Sequence, residues 1–109
     1  IFIIIVSFNV FAETYSCKYK ELNQIKKFNL DRITHSHFIK CIQNQCEDQK
    51  YSVIFADSNN LIIGDIVDNN ENFFLFILDK KTNLFSGANI KLPNKDAENI
   101  FFKGKCLRY

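Results

Sequence analysis

Apolar and polar residues alternate along short stretches of this chain, and clusters of turn-forming residues interrupt them. Tyr15, Cys17 and Tyr19 alternate with Thr14, Ser16 and Lys18, and Tyr51, Val53 and Phe55 with Ser52, Ile54 and Ala56. A period of two places alternate side chains on opposite faces of a strand, so each stretch predicts a half-buried β-strand. Further strands are predicted over 28–31, 33–41, 61–67, 73–79, 84–92 and 99–107, about eight in all. Between the later ones, 57–60, 68–72, 80–83 and 93–97 are rich in Asp, Asn, Lys and Pro, residues suited to hairpin connections. Parallel pairing would need crossovers of a dozen or more residues, so the sheet is expected to be an antiparallel meander. The stretch 19–28 is ambiguous, since Leu22, Ile25 and Phe28 recur at three-residue spacing and would also suit a short helix.

With 109 residues, 47% of them hydrophobic and 24% charged, the chain is too apolar to be disordered and too short for two ordinary domains. The expectation is an all-β fold in which the meander closes as a small barrel; the alternative is a two-sheet sandwich. Closure would set the first strand beside the last. The uncharged apolar run 1–10, followed by Val10, Phe11, Ala12 and Glu13, resembles the end of a secretory signal peptide cleaved after Ala12. It is shorter than the roughly 20 residues of a spanning helix. No Cys follows Ala12, which argues against a lipid anchor there. The expected organisation is thus a signal over 1–12 and one β domain over 13–109, periplasmic or secreted, without a membrane span in the mature chain.

Export makes disulfides the default for Cys17, Cys41, Cys46 and Cys106. Of the three pairings, Cys17 with Cys106 would tie the two ends at the seam of a barrel, and Cys41 with Cys46 would flank a turn at Ile42, Gln43, Asn44 and Gln45. On loop entropy the long link contributes about 4 to 5 kcal/mol and the short one about 2.

The stretch 73–79 is apolar on both faces: Phe73, Leu75 and Ile77 on one, Phe74, Phe76 and Leu78 on the other. One triplet therefore faces outward unless something covers it. We take Phe74, Phe76 and Leu78 as the candidate surface for a protein partner, a small apolar ligand or a second copy of the chain, because monomers rarely expose large apolar patches. The other reading is burial against 19–28 or in a second layer.

Zinc chemistry has candidates in His35, His37, Cys41 and Cys46. On a strand rising roughly 3.3 Å per residue, His37 and Cys41 would stand about 13 Å apart, too far to share one ion. His35 and His37, two apart on one strand face, could share one, so a metal-binding protein or enzyme using this pair is a further alternative, but two imidazoles on a solvated face is the simpler reading and no cofactor is expected. Asp68, Asn70, Asn72 and Asp79 imitate calcium-loop spacing, but Phe73 occupies the position that needs Gly. There is no Gly-rich phosphate loop and no GxSxG, and the strand-end carboxylates suit solvated turns, so catalysis is not expected. Nucleic-acid binding is not expected either. The net charge is only +2, and Lys26, Lys27, Lys80, Lys81, Lys103 and Lys105 are spread over several segments.

Tyr15, Ser16 and Cys17 near the start and Gly104, Lys105 and Cys106 near the end resemble the ends of small periplasmic β-barrel proteins of Gram-negative bacteria. Ser86, Gly87, Ala88, Asn89 and Ile90, continuing to Phe101, Phe102, Lys103 and Gly104, are similar to the C-terminal half of the periplasmic C-type lysozyme inhibitors. Ile90 stands where that family has Tyr. The resemblance implies an eight-stranded barrel in which a Ser-containing loop enters the lysozyme active site. Ser86 and Gly87 would be the inserting pair, with Lys103 and Gly104 as the second motif. Read from the strand pattern alone, Ser86 and Gly87 would instead form a bulge that bends the 84–92 strand.

Overall fold

A computed structural model describes residues 13–93 and 98–108. The predicted signal at 1–12 and most of the 93–97 connection lie outside the described residues. Eight antiparallel strands follow one another around a closed barrel. They are β1 (Thr14–Glu21), β2 (Gln24–Thr34), β3 (His37–Ile42), β4 (Gln45–Ala56), β5 (Asn60–Val67), β6 (Asn72–Asp79), β7 (Leu84–Lys91) and β8 (Ile100–Arg108). Pairing of β1 with β8 closes the ring, so every strand has two neighbours and no edge is left open. Of the two architectures the sequence permits, the barrel is the one formed.

Turn chemistry explains the breaks between strands. Leu22 and Asn23 join β1 to β2, and Gln43 and Asn44 join β3 to β4; all four have positive φ, the mark of a type I′ turn. The 19–28 stretch is therefore a hairpin and not a helix. Asp57 Oδ1 accepts from the amides of Asn59 and Asn60, and Asp79 Oδ1 from those of Lys81 and Thr82. Each carboxylate thereby satisfies backbone donors that a turn leaves without partners. The predicted 33–41 strand is also divided: β2 ends at Thr34, the chain turns at His35 and Ser36, and β3 starts at His37. Arg32 holds that turn by donating from Nε and Nη2 to the His35 carbonyl.

The two longest strands carry the irregularities that let a sheet curl. Register shifts between Arg32 and Thr34 on β2 and between Val53 and Phe55 on β4 leave Ile33 and Ile54 as extra residues. Across from Lys40, β4 has Glu47, Asp48 and Gln49 between paired Cys46 and Lys50, a wider bulge.

Inward-facing residues fill the barrel. Leu30, Phe38, Leu61, Ile63 and Phe76 are fully buried, and rings from β2, β4, β6 and β7 pack face to face or edge to face across the lumen. Phe74, Phe76 and Leu78 belong to this core at 3%, 0% and 1% exposure, so the surface expected there is corrected: they face inward. Register decides the matter where alternation could not. Phe76 lies opposite Ile63 on β5 and Gly87 on β7, whereas Ile77 lies opposite Ile62 and Ser86, and Ser86 lies opposite the exposed Lys103. Directly opposed residues share a face, so Phe73, Leu75 and Ile77 go outward with the lysine.

Both disulfides join residues directly opposite each other on neighbouring strands. Cys17–Cys106 closes the β1–β8 seam from inside, and Cys41–Cys46 clasps the β3–β4 hairpin two residues before its turn. This is the pairing favoured by the sequence.

Candidate functional site

Two places on this barrel combine chemistry with access, the outer wall and the upper mouth, and a third is a polar plug whose cations stay partly open to solvent. The outer wall is apolar over consecutive strands. One row across it runs Ile66, Phe73 and Ile90; the next runs Gly64, Leu75, Ala88 and Phe101; a third runs Phe55, Ile62 and Ile77 before ending in Ser86 and Lys103. Neighbouring strands lie about 4.8 Å apart, so these side chains touch along each row. Phe55, Ile66, Ile77 and Phe101 are 40% to 71% exposed, while Leu75 sits half-buried between the small residues Gly64 and Ala88. The sequence shows that 73–79 has a surplus apolar face. It does not show that β4, β5, β7 and β8 extend that face, because the rows form only when the strands are in register.

The mouth lies at the barrel end that carries the β1–β2 and β3–β4 turns. Tyr19, Phe28, Phe74 and Phe102 line it, and the Lys40 ammonium lies 5.6 Å and 5.5 Å from the ring centres of Phe28 and Phe74. Glu47 stands 3.8 Å from that ammonium and accepts the Tyr51 hydroxyl at 2.6 Å. Burial, reinforced by the Glu47 carboxylate, pushes the Tyr51 phenol well above its ordinary range. It therefore stays protonated and cannot serve as a base near neutral pH. The β4 bulge brings Glu47 to this place, and no feature of the sequence marks it.

At the opposite end a buried network plugs the barrel. Glu13 accepts the Tyr15 hydroxyl, pairs with Arg32 at 2.8 Å and has the Lys80 ammonium at 3.5 Å. Burial raises the Glu13 carboxyl, but the bonds from Tyr15 and Arg32 and the charges of Lys80 and Arg32 outweigh it and hold the group below its usual range. Arg32 also donates to the His35 carbonyl and Lys80 to the Asp57 carbonyl, so each side-chain polar atom of the network has a partner within the protein.

The other predicted residues are placed as follows. His35 lies in the β2–β3 turn and His37 opens β3 with Nδ1 3.2 Å from the Thr34 hydroxyl, so the two imidazoles do not share a strand face. Cys41 and Cys46 are bonded to each other and are not thiolate ligands. Among the described residues no three His, Cys, Asp or Glu side chains converge as metal ligands. Ser86 and Gly87 stand in the middle of β7, opposite Lys103 and Phe102, and Phe85 stands opposite Gly104. The two short motifs are thus adjacent on neighbouring strands, but Ser86 is on a strand and not on a loop.

Their glycines have packing reasons. A Cβ on Gly87 would meet the Phe102 ring at 2.4 Å, and one on Gly104 would meet the Lys18 carbonyl oxygen at 2.0 Å. Compared with protein-family models, curated proteins and solved structures, the chain matches none. Among the described residues no helix is long and apolar enough to cross a membrane.

Proposed function

We propose that this is an exported, non-catalytic binding protein that meets a macromolecular partner through the outer wall of β4 to β8. The observation that carries the reading is a barrel apolar on both sides of the same strands. Its lumen is occupied by its own aromatic rings, and a second apolar surface, centred on Leu75, faces out. A filled lumen favours an outer-wall partner over an enclosed small ligand. A contiguous apolar patch of this kind marks an interaction surface. Two disulfides suit an oxidising compartment. Export and contact are testable together by native mass spectrometry of protein collected from the periplasm or medium of its host. The expected species starts at Glu13, is four hydrogens light and carries a partner chain or a second copy. Leu75→Asp with Ile77→Asp should return it to a bare monomer with an unchanged circular-dichroism spectrum. A wild-type protein that is a bare monomer in its native extract would refute the reading.

A second reading, inhibition of a C-type lysozyme, is favoured by the side-by-side exposure of Ser86 and Lys103 on β7 and β8. Nanomolar protein should then inhibit the enzyme, and Ser86→Arg should abolish the effect. Full lysozyme activity at micromolar protein would exclude it.

A further inference from the structure

Closure of the barrel gathers a charge cluster that the sequence scatters. On β1 and its two neighbours, the outward positions from Ser16 to Lys20, Ile25 to Asn29 and Lys103 to Leu107 hold Lys18, Lys20, Lys27, Lys103 and Lys105 and no carboxylate. All five lysines are exposed, and among the described residues none takes part in an ion pair. Lys18 lies directly opposite Lys27 on one side and Lys105 on the other, a row of three ammonium groups at strand spacing. Like charges directly opposite destabilise a sheet. The chain carries a net charge of +2, so +5 on this face leaves −3 for the rest. The molecule is therefore polarised, with its basic side at the β8–β1–β2 seam.

We propose that this face docks reversibly on an anionic phospholipid surface. Aliphatic side chains flank the lysines: Leu107 and Ile25 at 61% and 64% exposure, and Leu84, 49% exposed, opposite Lys105. Ammonium groups beside exposed aliphatics match the boundary between phosphate headgroups and acyl chains. The nine outward positions hold no aromatic ring and no arginine, the groups on which nucleic acid stacks or is gripped bidentately. A ladder of lysines also keeps these strands out of the acyl core, so the contact is peripheral. The face adjoins the wall around Leu75 at Lys103 on β8 but does not depend on the function proposed for that wall.

The test is sedimentation of the protein with vesicles of phosphatidylcholine alone or mixed one to one with phosphatidylglycerol. Binding through apolar segments would occur equally on both. The proposal requires a strong preference for the anionic vesicles that weakens between roughly 0.01 and 0.15 M salt, as the screening length falls from about 30 to about 8 Å. An ammonium held at such a surface strengthens binding about fivefold, so Lys18→Gln/Lys27→Gln/Lys105→Gln should bind about 100-fold more weakly. Its thermal midpoint should be unchanged or higher, because the like-charge row is gone. If the triple variant fails to fold, Lys20→Gln/Lys103→Gln must still weaken binding about 25-fold. Equal binding to both vesicle types, or an unaffected variant, overturns the proposal. So does tighter binding to a single-stranded oligonucleotide than to the anionic vesicles, which would assign the face to nucleic acid.

Discussion

Glu13 is a carboxylate that this fold buries, and its partners make its charge a condition of stability. With its carboxyl held below the usual range by Tyr15, Arg32 and Lys80, it stabilises the barrel fully above the unfolded value near 4.5. That contribution is lost as pH falls from there through the folded value. Glu13→Gln would leave the Arg32 charge without its counter-charge at a nearly closed barrel end, and Lys80 with only the exposed Asp57 carboxylate. Because both cations retain some solvent access, the expected cost at neutral pH is about 2 kcal/mol, below the range for a fully buried pair. Urea titrations at several pH values should show the wild type losing stability below pH 4.5 more steeply than the variant. Gly104 makes a second residue-scale case. Because a Cβ there would strike the β1 backbone and not a mobile side chain, Gly104→Ala should destabilise the barrel by about 3 kcal/mol. Gly87→Ala, which meets only the Phe102 ring, should cost less. The same denaturation experiment ranks the two, and equal losses would contradict the packing account.

At the scale of elements, the later strands and the Asp- and Asn-rich turns between them were legible, and the turns of the first half were not. Alternation marked β1 and the latter half of β4, each with an apolar face that must be buried, while a run apolar on both faces marked β6. The first hairpin was ambiguous with a helix because its turn is Leu22–Asn23, lacking the Asn-Gly or Asp-Gly pair that announces type I′ geometry. Gln43–Asn44 is equally quiet, and only its flanking cysteines pointed to it. The candidate surface was misplaced by one residue because β6 is apolar on both faces. The polarity of Ser86 and Lys103 settles which face is inside, but only once β6, β7 and β8 are in register. The two disulfides differ as elements too. Cys46 is exposed, whereas Cys17 and Cys106 are each 1% exposed. Mild dithiothreitol should therefore reduce Cys41–Cys46 first, adding two hydrogens while the near-ultraviolet dichroism of the aromatic core persists. Alkylation of Cys17 or Cys106 before Cys46 would contradict this.

For the whole molecule, the β1–β8 seam is where order along the chain and order in space differ most. Every other pairing joins strands consecutive along the chain, but the seam brings together residues 89 positions apart and must close last in any local route to the barrel. Without a covalent link, closing so long a loop weighs against the folded state by an entropy that the short β1 and β8 ladders must offset. Cys17–Cys106 removes that loss from the unfolded chain, about 4.6 kcal/mol on loop entropy, against about 2 for Cys41–Cys46. A domain of this size has a total stability of roughly 5 to 15 kcal/mol, so the seam bond decides whether the barrel is robust or marginal. Cys17→Ser/Cys106→Ser should thus lower the unfolding free energy by about 4 kcal/mol and Cys41→Ser/Cys46→Ser by about 2, read from denaturant midpoints at an unchanged native spectrum. Both outer surfaces depend on the same closure. The lysine row spans β2, β1 and β8, and the apolar wall ends on β8, so an opened seam would scatter the first and shorten the second. Hydrogen exchange on the seam-deleted variant should consequently show β1 and β8 losing protection before β4, β5 and β6. Uniform loss across all eight strands would mean that the barrel opens as one cooperative unit and that the seam is not its weakest ladder.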